Sequence, residues 1–497
     1  MTFIPFIGVV AVLLLKKESV GAIRWTAAAF SFVPFVLSIY LVWYYFASMG
    51  TGMLFNINST TQGFIFDYAK PLAWFPQVNV NYYMGADGLS VPMLFLTGLL
   101  SFISIIASFG IKDRIKEYFA WFLLLETGMM GVFCALDFFL FYIFWEIMLV
   151  PMYFLIGVWG GPRREYAAIK FFLYTLFGSV FMLVAILALY FTTGSLNMLE
   201  LMKMNSTYAH TFQLWVFAAF FIAFAIKVPV WPFHTWLPDA HVEAPTAVSV
   251  ILAGILLKMG TYGMLRVCLP MFPQAAIAYS TPIALLGLIG IIYGALVSMA
   301  QKDLKKLVAY SSVSHMGYCM LGIAALTPIA ISGCLFQMFS HGVLTGALFL
   351  LVGIIYDRAH TREIAAFGGL GVKLPVYTGL FTLFAMGSLG LPLLSGFVSE
   401  FMVFVGSFKS PFIPRWIVML SVLGVVLTAA YMLRMIQKIF LGQFNTKWEG
   451  LSEINGREIF TLVPLAALTL LVGIYPEALN VFLRGTVDNI VKLIIPS

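Results

Sequence analysis

Six side chains that can gain or lose a proton stand inside otherwise apolar stretches of this sequence. They are Glu146 in FYIFWEIMLVP, Lys227 before VPVWP, Lys258 in ILAGILLKMG, His315 in SSVSHMG, His341 in FSHGVLTG and Glu400 in SGFVSEF. A charged side chain at the centre of a bilayer costs about 2.5–3.5 kcal/mol on insertion scales, so each such group needs a partner or a wetted cavity. The residue types fit proton transfer. Histidine titrates near neutral pH unaided, and lysine releases a proton once desolvation makes its charged form costly, whereas arginine holds its proton throughout. A carboxylate beside Lys227 would decide which form it takes. At about 4 Å and an effective dielectric of about 20 the pair gains roughly 4 kcal/mol, against roughly 1.4 at about 12 Å, so moving charge near Glu146 and Lys227 would drive proton capture or release.

Glu126 in LLLETGMM is a further candidate relay member, as is Asp137, which opens the span holding Glu146. Glu146 follows Asp137 by nine residues, which sets it roughly 14 Å deep, and Lys258 lies about 20 Å into its own span. His234, Asp239, His241 and Glu243 cluster in PFHTWLPDAHVEAPT and outline a metal site on paper. That segment joins two spans on the inner side, where polar residues need no special reason, so no metal is expected there. Cys134, Cys268, Cys319 and Cys334 fall in apolar spans without metal-ligand spacing and read as small packing residues.

The elements that position these groups follow from composition. Of 497 residues 62% are hydrophobic and 10% charged, with a mean hydropathy of +0.98, which excludes a set of soluble domains. Apolar runs of about 20 residues recur from end to end, each long enough to cross roughly 30 Å of hydrocarbon as a helix. The fold class is an all-α integral membrane protein with about fourteen spans: 2–15, 22–49, 87–110, 117–135, 137–158, 166–194, 212–239, 244–268, 278–300, 305–326, 329–356, 375–408, 414–440 and 459–484. The first segment lacks a basic start and its Lys16 and Lys17 come after the apolar stretch, so it reads as a retained span. Segment 50–86, with Asn56, Asn58, Asp67 and Pro71, is too polar to cross and reads as an external loop or hairpin.

Six lysines and arginines fall in loops on the side of the N-terminus (Lys70, Lys203, Lys409, Arg415, Arg484 and Lys492) and eighteen on the other. Both termini are therefore expected on the non-cytoplasmic side. Lys170, Lys227, Lys258 and Arg266 lie within spans. The net charge of +7 is a topology signal and implies no nucleic acid. Spans 7 and 12 carry breakers inside their apolar stretches, at Lys227-Val-Pro229-Val-Trp-Pro232 and Leu391-Pro392-Leu-Leu-Ser395-Gly396. Each is the fourth member of a group of five, helices 4–8 and 9–13, and an odd number makes the second group run upside down. Inverted repeats with paired discontinuous helices mark ion pathways in transporters. The domain division follows: 1–110 with the external loop, 117–268 as a first repeat, 278–440 as a second, and 459–497 as a C-terminal helix 14.

The strings FWEIMLVPMYFLIGVWGG (144–161), KVPVWPFHTWLPDAHVEAPTAVSVILAGILLKMGTYG (227–263), AYSSVSHMG (309–317) and SGFVSEF (395–401) resemble the antiporter-like subunits of proton-translocating NADH:quinone oxidoreductase, respiratory complex I. The resemblance runs in order from about 90 to 440, and the second string is highly specific. It implies fourteen helices in two inverted five-helix repeats, Glu146 and Lys227 as an input pair, Lys258 and the histidines as connectors, and Glu400 at the end of an output path. Glu at the broken helix 12 resembles the M (chain 4) branch of the family, since the sister subunits L and N carry Lys there. The implied partners are those sister subunits, the rest of the membrane arm and the lipid of an energy-transducing membrane, most simply the bacterial cytoplasmic membrane. No dinucleotide fingerprint, cysteine cluster or haem pattern occurs, so no cofactor is expected in this chain, and NADH, FMN, iron–sulfur clusters and quinone would belong to partner subunits. Two rival readings are a subunit of a multi-subunit Mrp-type cation/proton antiporter and a spacer that conducts nothing.

Overall fold

The computed structural model describes residues 1–50, 65–66 and 70–495. Hydrocarbon offers no water to a free N–H or C=O, so a chain of this composition satisfies its backbone in helices. α1 (Ile4–Leu14) and α2 (Val20–Gly50) form an N-terminal hairpin. The expected external loop contains two short ladders, β1 (Ile65–Phe66) on β4 (Gly85–Ala86) and β2 (Leu72–Phe75) on β3 (Val80–Tyr82). Asn56, Asn58 and Asp67 of that loop lie outside the described residues. Next come α3 (Ser90–Ala107) and α4 (Ile115–Cys134). α5 (Phe138–Ile147) and α6 (Leu149–Trp159) are one span bent at Met148, where Pro151 has no N–H to give the Ile147 carbonyl. α7 (Arg164–Thr193) and the short α8 (Met198–Lys203) lead to α9 (His210–Lys227).

The chain stops being helical after Lys227 and resumes at α10 (Trp236–Glu243), across Pro229 and Pro232. The following span, Thr246–Met271, is divided by two π-turns, Leu252–Leu256 and Met264–Cys268, into α11 (Thr246–Ile251), α12 (Leu257–Gly263) and α13 (Leu269–Met271). α14 (Pro273–Ala300), α15 (Leu304–Ala324) and α16 (Pro328–Ala359) follow, then the short α17 (Leu370–Lys373). α18 (Pro375–Ser388) and α19 (Ser395–Phe408) flank a second break, in which Gly390 and Leu393 both take positive φ. α20 (Arg415–Ser421) and α21 (Leu423–Phe440) form one bent segment, before α22 (Gly456–Ile474) and α23 (Glu477–Ile494). Both discontinuities therefore fall where the proline-bearing motifs lie.

Among the described residues ten helices are long and apolar enough to cross a membrane, and Ile4–Leu14 and Ser395–Phe408 are shorter apolar helices. α4 and α15, at 20 and 21 residues, are long enough but polar in places. Lys116, Glu117 and Glu126 interrupt the first, and Lys305, Lys306, Ser311, Ser312, Ser314 and His315 the second. The C-terminal stretch expected as one helix is two. The residue before a proline is driven out of helical geometry and Pro476 has no N–H, so α22 ends at Ile474 and α23 turns back to pack on α13, α14, α16 and α3.

The centre of the molecule is set by burial. The apolar windows of Thr246–Met271 and α16 are 100% buried, against 28% for α2, so those two spans form the axis around which the others pack. Close approach of α16 to α19 depends on Gly333, where an added Cβ would stand 2.6 Å from the Val403 backbone nitrogen. Overpacking of this kind costs about 1–3 kcal/mol. Gly333→Val is expected to lower the thermal midpoint of the purified protein and to push α19 outward, read by differential scanning fluorimetry in detergent.

Candidate functional site

Lys258 sits at the centre of this axis and is fully buried. The π-turn before it shifts hydrogen bonding from the i−4 to the i−5 carbonyl, a bulge that recurs at functional sites. The Lys258 amine donates to the carbonyl of Ala253, five residues earlier, at 2.5 Å and meets His341 Nδ1 on α16 at 2.6 Å. The other ring nitrogen of His341 has no hydrogen-bond partner among the described residues. Its ring centroid lies 5.5 Å from that of His315 on α15. His315 in turn places Nδ1 3.4 Å from Glu400 Oε1 and Nε2 3.0 Å from Ser388 Oγ at the end of α18. His315, His341 and Glu400 line one small cavity with Gln337, Leu344, Thr345, Ser388 and Gly396, of about 10 Å³, close to the space one water centre needs.

The helix break positions Glu400. Gly390 has φ +82°, and an added Cβ there would lie 3.1 Å from Glu400 Oε2, so the turn leaves room for the carboxylate beside it. Ser399 donates to Gln337 Oε1, and Gln337 Nε2 reaches His315 Nδ1 at 3.5 Å, which fixes the histidine against α16 and α19. Four helices thus bring together Lys258, His341, His315 and Glu400.

The second cluster is less direct. Lys227, on the last turn of α9, is buried with its amine 5.4 Å from the Trp145 ring centroid and 5.5 Å from that of Phe171, a cation–π cradle. Among the described residues its nitrogen has no hydrogen-bond partner, and one oxygen of Glu146, half-buried on α5, has none either. The two lie in each other's field without touching as an ion pair. Ser179 of α7 stands beside the Glu146 carboxylate.

Residues 135–428 match the family model described as NADH:quinone oxidoreductase/Mrp antiporter, TM. Subunit M of NADH-quinone oxidoreductase from Rhodobacter capsulatus is 42% identical, with 99% of this chain and 96% of that one covered. The subunit M of Rickettsia prowazekii is also 42% identical, over 99% and 98%. This chain belongs to the subunit M family of NADH-quinone oxidoreductase. The match to subunit M extends past the expected 90–440 into the N-terminal helices. A chain in respiratory complex I from Thermus thermophilus has the same fold, with a TM-score of 0.88, 30% identity and 99% of both chains covered. A chain of the Mrp complex from Dietzia, at 20% identity, 100% and 98% coverage and a TM-score of 0.81, is alike in fold.

The remaining candidates lie apart from the four-helix contact. Asp137 is the N-cap of α5, accepting from Phe139 N at 2.9 Å, Leu140 N at 3.4 Å and Asn81 N at 3.1 Å. Those bonds satisfy the carboxylate where it is buried. Glu126 on α4 is fully buried, with the Ser31 hydroxyl beside its carboxylate. The polar cluster after α9 does not converge. His234 Nε2 meets Tyr293 OH at 3.1 Å, Asp239 pairs with Lys170 at 2.7 Å and Arg163 at 3.2 Å, and Glu243 accepts from Arg163 N at 3.0 Å.

The surroundings of three residues, Arg266, Asp87 and His241, go beyond the sequence reading. Arg266 forms a buried ion pair with Asp87, and also reaches Tyr262 OH at 3.2 Å and Ser90 Oγ at 3.3 Å. An arginine inside an apolar span demands a counter-ion, which is the signal that points to Asp87. His241, read as an inner-loop residue, is instead fully buried, its ring stacked 4.4 Å from Phe349. The loop assignment fails because α10 folds back against α7 and α15 rather than leaving the protein.

Proposed function

We propose that this chain moves protons across an energy-transducing membrane as a membrane-arm subunit of NADH-quinone oxidoreductase. The energy comes from electron transfer in partner subunits, where NADH, FMN, iron–sulfur clusters and quinone reside. The carrying observation is the series Lys258–His341–His315–Glu400, four titratable side chains from four helices, the last three lining a cavity with room for about one water. An inert spacer has no use for it, since buried charges replaced by apolar side chains often leave a protein as stable or more so.

In this reading Glu146 and Lys227 are the input pair, Lys258 and the two histidines connect the halves, and Glu400 ends the output path. Helices 4–8 and 9–13, residues 117–268 and 278–440, act as inverted repeats within a fourteen-helix fold, a view supported by the breaks at 228–235 and 389–394. The eighteen basic loop residues support a basic cytoplasmic face with both termini opposite. Sister antiporter-like subunits L and N are the neighbours, in a bacterial cytoplasmic membrane. The likeness of fold to an Mrp chain makes one control necessary: purification in mild detergent should recover flavin and iron–sulfur signals with this chain, where an Mrp-type assembly would bring only membrane subunits.

Glu146→Gln keeps the shape and removes the charge. Assembled complexes bearing it are expected to oxidise NADH with a lower number of protons moved per electron pair, measured by a pH-sensitive dye in inverted vesicles. An unchanged ratio in fully assembled complexes overturns the proposal.

A further inference from the structure

The hydroxyl of Ser399 has one hydrogen and two acceptors within reach. It stands against Oε1 of Gln337 on α16 and, at 2.8 Å, against the Gly396 carbonyl of its own helix. Only one can be served at a time. Both side chains are buried, and Gln337 lies one turn before His341, on the wall of the cavity that His315, His341 and Glu400 share. With the hydrogen on Gln337 Oε1, the other end of the amide, Nε2, faces His315 Nδ1 at 3.5 Å and donates to it, which requires that nitrogen to be bare. Glu400 Oε1 stands 3.4 Å from the same nitrogen and has no hydrogen-bond partner among the described residues, as an Nδ1 without a hydrogen demands. With the hydrogen on Gly396 instead, the amide can turn over, give Nε2 to the Ser399 oxygen and present Oε1 to an Nδ1–H. The far side of the ring is equally reversible, since Ser388 Oγ, 3.0 Å from Nε2, accepts from an N–H or donates to a bare nitrogen.

We infer that Gln337 and Ser399 are positioning residues that support His315 in turn with and without its Nδ1 proton, the amide reversing as that proton passes to Glu400. The inference rests on the proton-translocating reading above and adds residues to it. In the step the Nδ1–H bond breaks as an O–H bond forms on the Glu400 carboxylate. The Gln337 amide then turns to donate to the bared nitrogen, and the Ser399 hydrogen rotates from Gly396 to Oε1. No oxidant or reductant is needed. The new bond to Nδ1 opposes return of the proton. The titratable groups that face the ring are Glu400 of α19, His341 of α16 and Tyr318 of its own helix, with Cys319 one turn on. Lys258 stands behind His341, and Tyr431 of α21 lies in the field of Glu400. α14 meets this stretch of α15 through Gly287, Gly290 and Gly294, and α10 brings Asp239 into the field of Tyr310, nearer the start of α15.

The test uses whole complexes in inverted membrane vesicles, with assembly checked by native gel and coupled proton uptake measured over a series of pH values. Gln337→Met keeps the length of the side chain and removes its N–H groups, and Ser399→Ala leaves Oε1 with an Nδ1–H as its donor. In both variants the bare ring loses support while the protonated ring keeps Glu400, so the proton leaves only at higher pH. Uptake is expected to fall about fivefold in Gln337→Met, the worth of one hydrogen bond. The acid limb of the profile should move up by about half to one pH unit in both. The other titratable groups named above are unchanged, so the displacement reports on Gln337 and Ser399. A limb that stays in place or moves down in either variant overturns the inference, whatever the uptake, because loosened packing lowers uptake without moving the profile in this direction. If one variant fails to assemble, the other decides. An unmoved limb here alongside loss in Glu146→Gln removes this inference and leaves the proposed function standing. A wild-type ratio in Glu146→Gln removes both.

Discussion

Lys258→Met is expected to abolish proton transfer through this subunit while leaving the fold in place. Methionine matches the lysine stem in length and fills the same buried space, so the packing change is small and helix propensity is nearly equal. What disappears is the nitrogen that joins Ala253 to His341. A positioned proton-transfer group contributes about 10²–10⁴-fold. Coupled turnover of the complex should therefore fall by roughly a hundredfold where this chain's transfer is obligatory. His341 would keep its cavity neighbours His315 and Glu400 but lose its source. The check is NADH oxidation and vesicle acidification measured on the same preparation, normalised to the amount of assembled complex.

Asp87→Leu is expected to cost about 3–5 kcal/mol, because it leaves the Arg266 guanidinium charged, buried and without its counter-ion. Arg266 lies in the second π-turn of the Thr246–Met271 span, eight residues beyond Lys258. Its partners and the residue next to Asp87 tie that span to three distant parts of the chain. Ser90 begins α3, Tyr262 OH donates to the Phe133 carbonyl of α4 at 3.1 Å, and Gly88 N donates to Thr486 Oγ1 of α23 at 3.1 Å. The charge matters only as a pair. Replacing both ends, Asp87→Leu with Arg266→Met, should recover much of the loss, since a well-packed apolar pair often equals a buried ion pair. Thermal unfolding of the detergent-solubilised complex, followed by recovery of this chain on a native gel, would show a large drop for the single variant and a small one for the double. Equal drops would mean that the pair contributes through shape and not through charge.

How much of this was legible depends on the range of the interaction. The two helix breaks announce themselves locally, because Pro229, Pro232 and Pro392 remove backbone donors inside apolar runs. The depth of Lys258 could be counted from the start of its span. Its meeting with His341, 83 residues away, could be proposed from the chemistry but not located. The π-turn that frees Ala253 has no sequence signature, since AGILL is an ordinary apolar helix by propensity. A run of polar residues between spans looks solvated, so His241 reads as a loop residue, whereas α10 carries it back into the protein. The division of the C-terminal segment could have been seen at Pro476. Asp87 and Arg266, 179 residues apart, show the limit most clearly: each is odd for its place, and only the fold says that they answer one another.

Arginine at position 258 is the most direct test that a proton itself passes along these side chains. Lys258→Arg retains the positive charge and donors, and differs in that guanidinium does not release its proton at any pH the protein survives. Proton transfer through Lys258 requires assembled Lys258→Arg complexes to move no more protons per electron pair than Lys258→Met complexes. A Lys258→Arg complex that pumps at the wild-type ratio would contradict it and reduce Lys258 to a fixed charge.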